Sequence, residues 1–158
     1  MILIFGGAYQ GKREFAGQLI RKRRGESAAE LRVFDCAAGA SDEPGASGTP
    51  DISGASAVLS SADIPDFSAD IICGLEHFTW TCCTENPQDR VEASDWMRSH
   101  RRLWQDKCLI ITDVSQGIVP TDARTRAFRE MNGRLMLQLA SEADEVWRVF
   151  CGIGKQIK

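Results

Sequence analysis

Histidine is scarce in this chain, with only His77 and His100 among 158 residues, so there is no histidine metal cluster to propose. The six cysteines, Cys36, Cys73, Cys82, Cys83, Cys108 and Cys151, form no C-x-x-C pair, which removes the thiolate spacing of a structural zinc site. Read as free thiols, they suit a reducing cytoplasm. Cys73, Cys108 and Cys151 stand in or beside apolar runs, where cysteine acts as a small hydrophobe. A basic excess is also lacking: the formal net charge is -3, which gives no general reason to expect a nucleic-acid partner. No apolar run approaches the roughly 18 residues of a membrane span. The opening MILIF runs straight into glycines, without the basic start or the length of a secretion signal. The expectation is a cytoplasmic protein with no nucleic-acid and no membrane partner.

A length of 158 residues suits one domain with a sizeable core, spanning 1–158, better than two. Ile2 to Phe5 is a short continuous apolar run, as an internal parallel strand requires. KREFAGQLIRKRRG reads as a helix with Phe15, Leu19 and Ile20 on one stripe, cations in its last turns and Gly25 as its stop. Leu31–Phe34 and Ala69–Cys73 are further strand candidates, separated by a glycine- and proline-rich loop over Ala37–Gly54. LEHFTWTCC could be a helix or a buried irregular stretch. Asn86 and Pro87 open a helix expected to run to about Gln105, KCLIIT supplies a fourth strand, and Thr121 or Asp122 can cap the next helix. In that helix Phe128, Met131, Leu135 and Leu139 recur at spacings of three or four. EVWRVF is read as the last strand, followed by a short tail. Strands alternating with amphipathic helices predict an α/β three-layer sandwich with a mainly parallel sheet.

The chemistry concentrates in GGAYQGKR, Gly6, Gly7, Ala8, Tyr9, Gln10, Gly11, Lys12 and Arg13. Gly6, Gly11 and Lys12 fit G-x-x-x-x-G-K between a strand and a helix, the setting in which backbone amides wrap a phosphate and the lysine reaches the outer phosphates. The alternative is a glycine-rich turn that only begins a helix. Arg13 stands where a magnesium-binding hydroxyl is usual, and a guanidinium has no acceptor to offer a cation. Either water and another carboxylate hold the metal, or Arg13 neutralises phosphate directly, or phosphate binding persists without catalysis. Asp113, directly after the fourth strand, is the candidate magnesium carboxylate, with Glu76 at a similar depth after the third; Asp113 could equally be an exposed strand-end residue. Arg126 and Arg129 stand near enough to the preceding loop that one could meet a phosphate. Four tryptophans, Trp80, Trp96, Trp104 and Trp147, leave open whether Leu75–Trp104 lines a ligand pocket or a subunit interface.

Taken in order, ILIFGGAYQGK, REFA, GIVP, R-x-F-R-E, GR, ADEVW and GIG resemble the bifunctional adenosylcobinamide kinase and adenosylcobinamide-phosphate guanylyltransferase family of cobalamin biosynthesis. The resemblance is carried by residues 1–20 and 106–158. It implies a P-loop NTPase fold like that of the recombination ATPases, often assembled as a homo-trimer, acting on a corrinoid. The kinase step would take ATP or GTP with Mg2+ to the aminopropanol hydroxyl of adenosylcobinamide. The second step would pass GMP through a histidine. Gly7, Gly11 and Lys12 match the family loop, and Asp113 stands where the family carries a glutamate; the implied catalytic set is Lys12, Asp113 and Arg13. Gly74 falls near a family carboxylate, with Glu76 two residues on. The family histidine lies after the second strand, where this chain has SDEPGASGTP and no histidine, so the resemblance carries the kinase step better than guanylyl transfer. A nucleotide- or corrinoid-binding protein without catalysis, or an assembly subunit, is the alternative.

Overall fold

Apolar residues at consecutive positions cannot all face one side of a pleated strand, and each parallel strand here feeds two cores. The computed structural model describes residues 1–25, 30–37, 59 and 63–158. Among them, β1 (Ile2–Gly6), β2 (Val33–Asp35), β3 (Ile71–Cys73), β4 (Cys108–Thr112), β5 (Glu145–Phe150) and β6 (Ile153–Gln156) form one sheet in the order β2-β3-β4-β1-β5-β6. Every neighbouring pair is parallel except β5–β6. Leu3, Ile72, Leu109, Ile111 and Val146 point to one face; Ile4, Ile71, Ile110 and Val149 point to the other.

The two faces are covered unequally. Helix α1 (Lys12–Arg24) covers one with Ala16 and Ile20, backed by Phe15 and Leu19. The other face carries α2 (Leu75–Cys82), α3 (Ala93–Ser99), α4 (Arg101–Trp104) and α5 (Ala123–Glu142). The result is the expected three-layer α/β sandwich. Met131, Leu135 and Leu139 of α5 are buried and Phe128 packs beside them, while the Asp122 carboxylate caps the helix by accepting the Thr125 amide at 2.6 Å. No helix among the described residues is long and apolar enough to cross a membrane.

Three sequence expectations change. The single helix expected from Asn86 to about Gln105 is a 3-10 turn at Pro87–Asp89 followed by α3 and α4. The break has a cause: the Val91 amide bonds the Cys82 carbonyl at the end of α2 (3.1 Å), so Arg90 and Glu92 stay extended. The tail after EVWRVF is a strand, β6. Its turn is the two residues Cys151 (φ 48°) and Gly152 (φ 78°), both left-handed, which matches the twist of a tight hairpin. Cys151 is consequently exposed rather than packed in a core, whereas Cys73 and Cys108 are buried. LEHFTWTC is helical. The segment 38–54 of the loop expected at Ala37–Gly54 lies outside the described residues.

Candidate functional site

Asp35, Cys73 and Thr112, at the carboxyl ends of β2, β3 and β4, line a cleft of about 690 Å³. Such a crevice is where open α/β sheets bind ligands. Its floor is the loop joining β1 to α1. Tyr9 (φ 57°) and Gly11 (φ 78°) are both left-handed, and a Cβ on Gly11 would also come within 3.2 Å of the Gly152 Cα, so only glycine fits there without displacement. At Gly6 the constraint is space: a Cβ would lie 2.3 Å from the Val149 carbonyl oxygen. No side chain caps the N-terminus of α1. Its first-turn amides, with the positive end of the helix dipole, are free to meet an anion.

Lys12 is the buried cation of the site, 9% exposed. Its Nζ donates to the Gly7 carbonyl at 2.7 Å, the one acceptor it has among the described residues although an ammonium carries three donors. Desolvation pulls its pKa below the usual lysine value of 10.5, and the nearby negative charge of Glu76 offsets part of that fall. A phosphate oxygen entering the cleft would supply the missing acceptors and the missing charge.

Arg13 faces the cleft and pairs loosely with Asp35, Nη1 to Oδ2 at 3.6 Å, with side chains 57% and 33% exposed. An ion pair so open to water is weak. The other Asp35 oxygen accepts the Ala37 amide at 3.0 Å, which fixes the carboxylate at the end of β2. Gly74 (φ 71°) begins α2 in the left-handed region, and a Cβ there would come 3.2 Å from Asp35 Oδ1 and 3.4 Å from His77 Cδ2. Glycine lets the carboxylate and the imidazole share the cleft wall. Glu76 lines the same wall; its Oε2 accepts the Thr112 amide at 2.9 Å and joins the start of α2 to the end of β4.

The loop residues, Lys12, Arg13 and Glu76 therefore come together, while Asp113 is engaged elsewhere. Its Oδ1 accepts the Ser115 amide (2.9 Å) and hydroxyl (2.5 Å) and its Oδ2 accepts from Gln116 at 3.4 Å; Thr112 and Val114 line the cleft, but Asp113 does not. Burial works to raise the Asp113 pKa, but the Ser115 and Gln116 hydrogen bonds and Arg148 outweigh it and hold the acid below the usual carboxylate range. Arg126 and Arg129 are also spent within the protein. They donate to the carbonyls of Pro120, Thr121, Ile118, Ser115 and Gln116 and so fix the loop after β4.

Of the aromatic segment, Phe78, Trp96 and Trp104 belong to the core. Trp80 lies at the surface with the Arg124 guanidinium 4.0 Å above its ring. His100 stacks on Trp96 at 4.1 Å, away from the cleft lining; His77 is the cleft's histidine. Among the described residues no three His, Cys, Asp or Glu side chains group as a metal cage. Sequence reading missed Asp35 as a site residue. Its signal was a lone acid at the carboxyl end of a strand in an α/β chain.

A family model for cobinamide kinase / cobinamide phosphate guanyltransferase matches residues 75–157, more than half of the chain. The chain belongs to this cobinamide kinase / cobinamide phosphate guanyltransferase family. Its matched segment holds Glu76, His77 and Asp113, with GIVP, ADEVW and GIG, while the glycine loop lies before it. Over 50 residues the chain is 48% identical to the bifunctional adenosylcobalamin biosynthesis protein CobU of Salmonella typhimurium, a match covering 32% of this chain and 28% of that protein. The Escherichia coli protein of the same name matches equally, 48% over 50 residues, with the same 32% and 28% shares. The match thus spans well under two thirds of the length of these relatives. Its family membership agrees with the sheet order, in which β1, the strand before the glycine loop, lies between β4 and β5, as in P-loop NTPase-like folds.

Proposed function

We propose that the cleft binds ATP or GTP with Mg2+ and transfers the terminal phosphoryl group to the aminopropanol hydroxyl of cobinamide, adenosylcobinamide being the family-implied form. The observation that carries this reading is the placement of Lys12: a desolvated ammonium at the mouth of an uncapped helix, bonded to a single loop carbonyl. Membership of a family described by its kinase and guanyltransferase activities supports the nucleotide donor, since both reactions consume one.

In this reading the amides of Gly7 to Lys12 hold the inner phosphates, and Lys12 leaves the Gly7 carbonyl for the outer ones. Its charge then meets the negative charge that spreads over the transferred group. Arg13 cannot ligate a cation, so it leaves Asp35 and neutralises phosphate charge directly. Glu76 fits the outer-sphere carboxylate that magnesium uses beside phosphates, because it lines the cleft and its second oxygen accepts no hydrogen bond among the described residues. Asp113 stands at the neighbouring strand end as the second candidate. Bound magnesium would supply charge neutralisation of the phosphates. Asp35 and His77, which also line the cleft, are the side chains left to face the acceptor.

The test is incubation of purified protein with cobinamide, Mg2+ and each triphosphate, followed by mass spectrometry for phosphorylated cobinamide. Product with either triphosphate is expected; none across a range of pH and metal, while triphosphate still binds, would replace the kinase reading by a second one. That second reading, a nucleotide- or corrinoid-binding protein without turnover, is favoured by one observation, the arginine at position 13 in place of a metal-binding hydroxyl. Assembly as a homo-trimer is part of the same proposal and is read by light scattering, where a monomer would remove it.

A further inference from the structure

The glycine loop and the C-terminal hairpin meet at one residue. The Gln10 side chain accepts the Cys151 amide through Oε1 at 2.7 Å, and the Gln10 carbonyl accepts the next amide, that of Gly152, at 2.9 Å. Both consecutive amides of the β5–β6 turn therefore end on a single loop residue. The approach is close enough that Gly11 has no room for a Cβ beside Gly152, which would be 3.2 Å away. A second fastening lies one helical turn further on. Gly154 of β6 lies against the Phe15 ring so tightly that a Cβ would come 2.1 Å from it, and Phe15 packs in turn on Trp147 of β5 at 5.4 Å.

The loop needs such support. Tyr9 projects wholly into solvent and adds no packing, two of the residues between Gly7 and Lys12 are left-handed, and α1 has no side-chain cap. Apart from the hairpin and the Phe15 amide on the Gly11 carbonyl, the main-chain curl is tied among the described residues by the Lys12–Gly7 bond, and that is the bond a phosphate would break. Ordering a loop residue costs conformational free energy, and a loop ordered before binding does not lose that amount from its affinity.

We infer that Gln10 is a positioning residue, splinting the glycine loop to the β5–β6 turn so that its amides stay curled when Lys12 lets go of Gly7. The inference rests on the reading of residues 6–13 as a phosphate loop. It makes the hairpin part of the nucleotide site without contact to the ligand, and it gives Gly11 and Gly154 a common purpose: each omits a side chain where the hairpin meets the loop or the first turns of α1.

The experiment compares the full chain with Gln10→Met, which keeps the bulk and loses the acceptor, and Gln10→Glu, which keeps the acceptor. Three quantities are read: amide hydrogen exchange at Cys151, affinity for inorganic triphosphate, and the thermal midpoint. Gln10→Met should speed exchange at Cys151 and weaken triphosphate binding by about two- to ten-fold, the range one net hydrogen bond supplies, while lowering the thermal midpoint by no more than about 6 °C. Gln10→Glu should keep wild-type exchange at Cys151. If Gln10→Met opens Cys151 yet binds triphosphate as the wild type does, or leaves Cys151 protected, the positioning role is overturned while the phosphate loop stands. If the wild type itself binds no triphosphate, the phosphate-loop reading falls and takes the positioning role with it.

Discussion

Replacing Arg13 by serine separates what this residue does for the fold from what it does for a ligand. Its one ionic partner among the described residues is Asp35 at 3.6 Å, with side chains 57% and 33% exposed. Screening limits such a pair to about 0–1 kcal/mol, so Arg13→Ser should move the thermal midpoint by no more than about 2–4 °C. The ligand arm is larger. A full charge about 5 Å from a phosphate is worth about 1–3 kcal/mol when the effective dielectric constant lies between roughly 80 and 20, which corresponds to about 5- to 150-fold in affinity. Calorimetric titration with a non-hydrolysable ATP analogue, without metal, reads this directly. Binding should weaken within that range in the variant, and the difference should shrink with added salt, because the pair is open to solvent. The serine also restores the hydroxyl usual for a metal at this position, so added Mg2+ should recover more binding in the variant than in the wild type. Equal metal-free affinities for the two proteins would refute direct phosphate neutralisation by Arg13.

Other expectations follow from the same cleft. Lys12→Met keeps the buried stem but removes a desolvated charge; it should abolish measurable triphosphate binding while the thermal midpoint stays level or rises, and a retained affinity would remove Lys12 from the site. The depressed Lys12 pKa gives opposite pH trends in the ligand-free protein below 10.5. The unfolded chain holds the proton to higher pH, so stability rises as pH climbs through the lowered folded value, whereas triphosphate affinity falls as the ammonium is lost; parallel trends in denaturation and binding would contradict the burial argument. Asp113, with its pKa lowered, contributes stability above its unfolded value that is lost as pH falls through the folded one. Asp113→Asn should flatten that acid limb, and an unchanged limb would show that the Ser115 contacts do not carry it. Gly154→Ala places a Cβ 2.1 Å from the Phe15 ring and should destabilise by about 1–3 kcal/mol in denaturant unfolding, the range for overpacking; a neutral result would mean that the ring moves freely.

The fold was legible where side chains repeat. Ile2–Phe5, Ala69–Cys73 and KCLIIT fall on β1, β3 and β4, and the Phe128–Met131–Leu135–Leu139 stripe of α5 packs on the core. It was illegible where tertiary bonds override local preference. The Val91 amide is captured by the end of α2, and nothing in PQDRVEASDW announces this. The strand β6 carries the sequence IGKQ, which has no alternation; it is a strand because Gln10 and Phe15, at the far end of the chain, shape the turn and the gap it occupies. For the candidate site, the spacing of Gly6, Gly11 and Lys12 marks a turn between β1 and α1 whose left-handed Gly11 is a local backbone demand. Asp35 and the spent guanidinium groups of Arg126 and Arg129 required the structure, because what a charged side chain faces depends on elements distant in sequence.

The most direct measurement is an amide NMR titration of the uniformly labelled chain with a non-hydrolysable triphosphate analogue. Saturable shifts are expected at the amides of Gly7 to Arg13, with the Cys151 and Gly152 amides following through Gln10. Shifts centred on any other surface, with the Gly7–Arg13 amides unmoved at saturation, would contradict it.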